Sequence, residues 1–209
     1  MTNKWLLGAI AIGALVAVTL VGLRLLRPKT LDGTASAVVE AFLANDPATV
    51  YAHGHKCQKD ALPRDKFVAA WREIVEPVLR SYKPVAPPKI EVSPGGLQGT
   101  ATVILRNEKG MEIDFYVITR PTDDGPAYDL IAPFFTAWSI RAAQQGIKDL
   151  SATKTFAMGL DADAPILRRL GIDALPSANP DRGLISLDEW IAYLRKEAQE
   201  VPSERGSGG

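Results

Sequence analysis

Both histidines and the only cysteine of the chain fall within five residues, His53-Gly54-His55-Lys56-Cys57. In an extended segment alternate side chains point the same way. Two imidazoles and a thiolate would then converge, a donor set suited to copper or zinc. No fourth ligand accompanies them. Gly54 and Lys56 equally suit a corner between two helices, with Cys57 as a small buried apolar residue. A second pair, Asp114 and Tyr116, offers a carboxylate and a hydroxyl donor two residues apart, the raw material of acid–base chemistry.

A third constellation lies near the C-terminus and resembles an EF-hand calcium loop. Ser177, Asn179 and Asp181 match the first three alternating oxygen ligands. Gly183 matches the turn glycine and Ile185 the central apolar residue, while Ser186 and Glu189 match the last two ligand positions. Calcium is the one cofactor this resemblance implies. The segment departs from the pattern in three ways: Arg182 is an extra residue before the glycine, the first ligand is serine, and Pro176 and Pro180 stiffen the loop. No second EF-hand accompanies it. The alternative is a helical hairpin in which Ser186 and Glu189 form a capping box for a helix over residues 187–198. Trp190, Ile191 and Leu194 share one face of that helix, which can pack back on the domain or dock on a partner.

The elements that would position these groups follow from periodicity. Residues 34–45 read as a helix capped by Thr34, with Val38, Ala41 and Phe42 in its apolar stripe. Asp46-Pro47 starts a short second helix. Residues 63–81 read as a longer helix carrying Phe67, Trp71, Ile74, Val75, Val78 and Leu79, bent or ended by Pro77. The period then becomes alternating. Strands are expected over 89–93, 98–107, 111–120 and 127–132, with turn signals at 107–110 and 123–125 and the last three strands in an antiparallel meander. A further helix follows Pro133 and ends near Gly146. Alternation sorts the sheet into an apolar face of Ala101, Val103, Leu105, Met111, Ile113, Phe115 and Val117, and a polar face of Thr102, Arg106, Glu112, Asp114, Tyr116 and Arg120. The apolar face is the natural inner one and carries no titratable group. Asp114 and Tyr116 fall on the solvated side.

Ahead of all this stands an uncharged apolar run, residues 5–23, bounded by Lys4 and Arg24. At helical rise it spans about 28 Å, the hydrocarbon thickness of a bilayer. It is longer than a signal-peptide core and lacks a small-x-small cleavage site, so the chain reads as a single-pass membrane protein. Export of a large domain behind an N-terminal anchor places that domain outside the cytoplasm, although Arg24, Arg27 and Lys29 after the helix favour the opposite orientation. Ala9, Gly13 and Ala17 recur every four residues and form a face on which another membrane helix could pack closely. The chain has 24 basic and 24 acidic side chains. Zero formal charge argues against a general nucleic-acid binder.

The expected organisation is an anchor with basic flank over 1–30, an α+β domain over 31–146, a helical extension over 147–200 and a disordered tail over 201–209. Helices followed by an alternating sheet, carried by residues 37–47, 67–71 and the 125–133 hairpin strand, resemble the nuclear-transport-factor-2-like superfamily, shared with ketosteroid isomerases and SnoaL-type cyclases. That resemblance implies a helical layer on a curved antiparallel sheet, cone-like in shape. The superfamily's enzymes place acids, tyrosines or histidines inside the cone, whereas bacterial members behind an N-terminal helix are often binding or assembly modules. The expectation is a non-catalytic accessory or scaffold subunit of a membrane complex in the bacterial envelope, with lipid and a membrane protein as partners. Its alternatives are a small-ligand-binding cone or an isomerase- or cyclase-type enzyme.

Overall fold

A computed structural model describes residues 30–145, 152–176 and 184–200. The apolar run with Ala9, Gly13 and Ala17 lies outside the described residues, as do Ser177, Asn179, Asp181 and the tail. The described chain is mixed α+β, with helices packed on an antiparallel sheet.

Helix α1, Leu31–Leu43, begins three residues before the expected cap. Thr30 takes that role: the Gly33 N–H donates to its hydroxyl (3.3 Å) and the Thr34 N–H to its carbonyl (2.9 Å). Asp32 in the first turn suits the positive end of the helix, and Thr34 is left buried inside it. The helix stops where Asn45 turns left-handed (φ 53°), and the Asp46 N–H reaches back to the Ala41 carbonyl at 2.8 Å. Asp46 then caps α2, Pro47–Ala52, accepting from the Ala48 and Thr49 N–H groups at 3.1 Å each. Helix α3, Lys56–Ala61, follows.

The expected helix over 63–81 is three pieces: α4 (Arg64–Ala70), a π-helical turn (Trp71–Val75) and α5 (Glu76–Leu79). In the π turn the Glu76 N–H donates to the Trp71 carbonyl, one residue further back than in an α-helix. The wider turn puts Trp71, Ile74 and Val75 all at 0 % exposure and absorbs the break that Pro77 imposes.

The sheet contains β1 (Tyr82–Pro84), β2 (Lys89–Val92), β3 (Gly99–Asn107), β4 (Glu112–Arg120) and β5 (Ala127–Tyr128). Strands β1 and β2 both pair with the same edge of β3, opposite Leu105–Asn107 and Gly99–Thr102 respectively. Together they are one edge strand interrupted at Pro87-Pro88. Prolines are tolerated on an edge, where an N–H need not enter the ladder. Strand β1 carries no strand signal in the sequence because its three residues lie between a helix and this proline pair. Strand β5 is two residues long, not six, because Asp129 starts a turn: its Oδ1 accepts the Ile131 N–H at 3.2 Å and its carbonyl the Ala132 N–H. Helix α6, Ala132–Gln144, grows from that turn.

The C-terminal part packs back on the domain. Helix α7 is Ala152–Arg169, β6 (Ala174–Pro176) pairs with β7 (Leu184–Ser186), and α8 is Leu187–Glu200. Residues on both sides of the expected boundary at 146 share one buried core, from Ala35 to Leu194. Phe156 of α7 stacks on Phe135 of α6 at 3.8 Å, and Gly159 lies so close to Trp138 that a Cβ would fall 2.2 Å from its Cγ. Under these helices lies a polar knot. Asp163, 3 % exposed, accepts from the Trp138 indole and from Arg141, each at 2.7 Å. Arg141 also donates to the Ile74 carbonyl at 2.9 Å, in the π turn.

Breaking a buried ion pair from one side leaves the other charge uncompensated. Asp163→Ala is therefore expected to cost about 3–5 kcal/mol in denaturant unfolding, whereas Arg168→Ala, which removes an exposed pair with Asp188, should cost less than about 1 kcal/mol. Equal effects of the two would contradict the assignment of Asp163 as the pin between α6 and α7.

Candidate functional site

The two faces of the sheet are those expected from alternation. Ala101, Val103, Leu105, Phe115 and Val117 are buried, and Asp114, Tyr116 and Arg120 are exposed. The inner face is filled. Phe42 stacks on Phe115 with ring centroids 3.9 Å apart and meets Trp71 edge-on at 5.3 Å. Phe67 and Phe134 extend the aromatic layer at 5.9 Å. Trp71 donates its indole N–H to Asn45 Oδ1 at 2.6 Å, which fixes the ring over the sheet. These aromatic side chains belong to the buried core between the helices and the sheet.

Asp114 and Tyr116 meet each other on the outer face, the tyrosine hydroxyl donating to Asp114 Oδ2 at 3.3 Å. Their neighbours there are the exposed Ile104 and Ile118 and the ion pair of Arg106 with Glu112. The three candidate metal ligands at 53–57 do not share one extended segment. His53 closes α2 and His55 precedes α3, with Gly54 between them bridged to Tyr128: the His55 N–H donates to the Tyr128 carbonyl and the Tyr128 N–H to the His53 carbonyl. Cys57 lies inside α3 and is exposed, not buried as a small apolar residue. Gly54 has no room for a side chain, since a Cβ would sit 2.5 Å from the Leu130 side chain.

In the EF-hand-like segment, Ser186 and Glu189 engage each other. The Glu189 N–H donates to Ser186 Oγ (3.1 Å), and the Ser186 N–H and hydroxyl both donate to Glu189 Oε2 (3.1 and 2.8 Å). This is the capping box of α8. Ile185 pairs with Leu175 within the same hairpin, and the preceding helix ends at Arg169 rather than running up to residue 177. Both features differ from a helix–loop–helix calcium site. Trp190 and Leu194 face the core, so the last helix packs back on the domain. Among the described residues no group of three or more His, Cys, Asp or Glu side chains is gathered to hold a metal ion.

The structure adds a polar cluster that the sequence did not reveal. Gln58, 2 % exposed, joins α3 to the end of the sheet: its Nε2 donates to Asp129 Oδ1 (2.9 Å) and its Oε1 accepts the Leu130 N–H (2.8 Å). Burial pushes the Asp129 carboxyl above the usual range, against the pull of the hydrogen bonds from Gln58 and Ile131. Burial likewise holds the half-buried His55 below the usual histidine value, with the nearby Asp129 charge opposing it. The Tyr128 hydroxyl is buried without a hydrogen-bond partner among the described residues, and burial raises its pKa far above the ordinary phenol. The only sequence signal for this cluster is an Asp three residues before Ala132-Pro133, the pattern of a helix start.

A raised carboxyl pKa favours the protonated form in the folded state. Its contribution to stability is full below the unfolded value near 3.8 and is lost as pH rises through the folded value. Asp129→Asn keeps an oxygen for Gln58 and Ile131 and removes the charge. It is expected to raise the urea midpoint at pH 7 and to leave it unchanged near pH 3. A gain that persists undiminished at low pH would exclude ionisation as the cause.

No protein-family model matches the chain, and neither a curated protein nor a solved structure matches it. The fold class established by the geometry is α+β.

Proposed function

We propose that the chain is a single-pass membrane protein whose α+β domain acts as a non-catalytic accessory or scaffold subunit of a membrane complex. The observation that carries this reading is the filled inner face: Phe42, Trp71, Phe67 and Phe134 pack where an enzyme or carrier of nuclear-transport-factor-2-like shape would need an open cone. The order of helices, meander and closing helix supports kinship with that superfamily. Ile104, Tyr116 and Ile118 stand exposed on the outer sheet face and offer apolar area for association. Membrane attachment rests on the uncharged run 5–23. Among the described residues no helix is long and apolar enough to cross a membrane. An extracytoplasmic domain is the orientation that goes with an exported accessory subunit.

The test is extraction of the full chain from its own membrane in mild detergent, followed by sizing and identification of co-migrating chains. The protein is expected to migrate with at least one other membrane protein. Gly13→Leu should separate them while leaving the chain in the membrane, because a bulky side chain prevents close helix approach. Leu15→Val, on another face, should change nothing. Migration as a clean monomer would contradict the scaffold reading.

A further inference from the structure

The end of the domain nearest the anchor is defined by α1. Thr119 of β4 donates its hydroxyl to the Leu31 carbonyl at 2.9 Å, and a Cβ on Gly99 of β3 would lie 2.7 Å from that same carbonyl. The start of α1, the start of β3 and the end of β4 therefore meet at one end of the molecule. The β2–β3 connection projects from this end. The Ser93 N–H donates to the Gln98 carbonyl and the Gln98 N–H to Ser93 Oγ, which closes a tight loop over residues 94–97. Gly95 and Gly96 both take left-handed backbone (φ 80° and 67°), and no atom lies within 4 Å of where their Cβ would be. The loop thus projects into open space. Leu97 is 72 % exposed, the most exposed large apolar side chain among the described residues, and Val92 at its base is 47 % exposed. The chain is uncharged from Val92 through Leu105.

Burying a leucine this open in an apolar medium is favourable by about 1.5–3 kcal/mol, and an uncharged tip carries no ionic desolvation penalty. The length of chain ahead of Thr30 decides which apolar medium is within reach. The run read as the membrane helix ends at Leu23, seven residues before Thr30, and seven residues extend at most about 25 Å. Gly99 touches Leu31, and Leu97 is two residues further on. The tip therefore cannot be held far from the lipid surface. We propose that the loop Pro94–Leu97 is a membrane-docking tip that inserts Leu97 into the interfacial region of the bilayer, so that anchor and loop fix the domain's tilt at two points. This rests on the membrane attachment proposed above.

The experiment uses the full chain in phosphatidylcholine vesicles, with Cys57→Ser as background and a single environment-sensitive fluorophore on Leu97→Cys. Lys109→Cys, in the turn at the far end of β3 and about 30 Å away, is the control. With doxyl-labelled lipid, the probe at 97 is expected to shift to the blue and to be quenched at least twofold more than the probe at 109. Matching circular dichroism of both variants establishes that the fold is intact. Equal quenching at the two positions in chains that float with the vesicles would overturn the docking tip and leave the anchor reading standing. A blue shift at 97 without lipid quenching would assign the loop to a protein partner or a second copy and overturn the inference equally. Failure of the chain to float with vesicles would overturn the anchor, and the docking tip with it.

Discussion

A sheet with one apolar face has to cover it, and here the cover is the stack of Phe42 on Phe115. At 3.9 Å the two rings join α1 to the centre of β4, and Trp71 closes against them from the π turn. An aromatic pair of this kind adds about 0.5–1.5 kcal/mol beyond the area it buries. The orientation of the third ring, Trp71, is set by Asn45. The left-handed turn that ends α1 places the Asn45 amide oxygen against the indole N–H of Trp71. The residue that stops the first helix thus also orients the ring that fills the interior. The packed interior is what the proposed function rests on.

The C-terminal helices depend on a second, polar constraint. A π turn leaves the normal helical hydrogen-bond pattern, and Arg141 supplies the Ile74 carbonyl with a donor from outside the helix. Arg141 is itself held by Asp163, which also takes the Trp138 indole N–H. Irregular backbone in the first half of the chain is therefore joined to α7 through a buried charge pair. At the surface, where solvent screens them, Arg169–Glu73 reinforces the same contact and Arg195–Asp161 joins α8 to α7. This arrangement makes the C-terminal helices part of the domain.

Local pattern carried much of the fold. The two faces of β3 and β4 were legible because alternation over nine residues is unambiguous, and the capping box at Ser186 and Glu189 because both partners lie within one turn. What was illegible depends on distance along the chain. Gln58 meets Asp129 across 71 residues and Arg141 meets Asp163 across 22, and neither pair leaves a local signature. The cap of α1 is ambiguous in the sequence because Thr30 and Thr34 are equivalent by residue type, and only the fold chooses between them. Strand β5 is shorter than its sequence pattern suggests because the apolar run after Tyr128 continues into a helix, and Asp129 is the sole marker of the change.

The proposed function requires that the interior between sheet and helices be full. Xenon enters apolar cavities that lack side chains to fill them. The direct measurement is methyl NMR of the full chain in detergent under increasing xenon pressure, read at Val103, Leu105 and Val117, with Phe42→Ala as the opened comparison. A full interior gives no saturable shift of these methyls in the natural chain and a saturable one in Phe42→Ala. A saturable shift in the natural chain would reveal an existing cavity, contradict the filled interior and return the domain to the ligand-binding class.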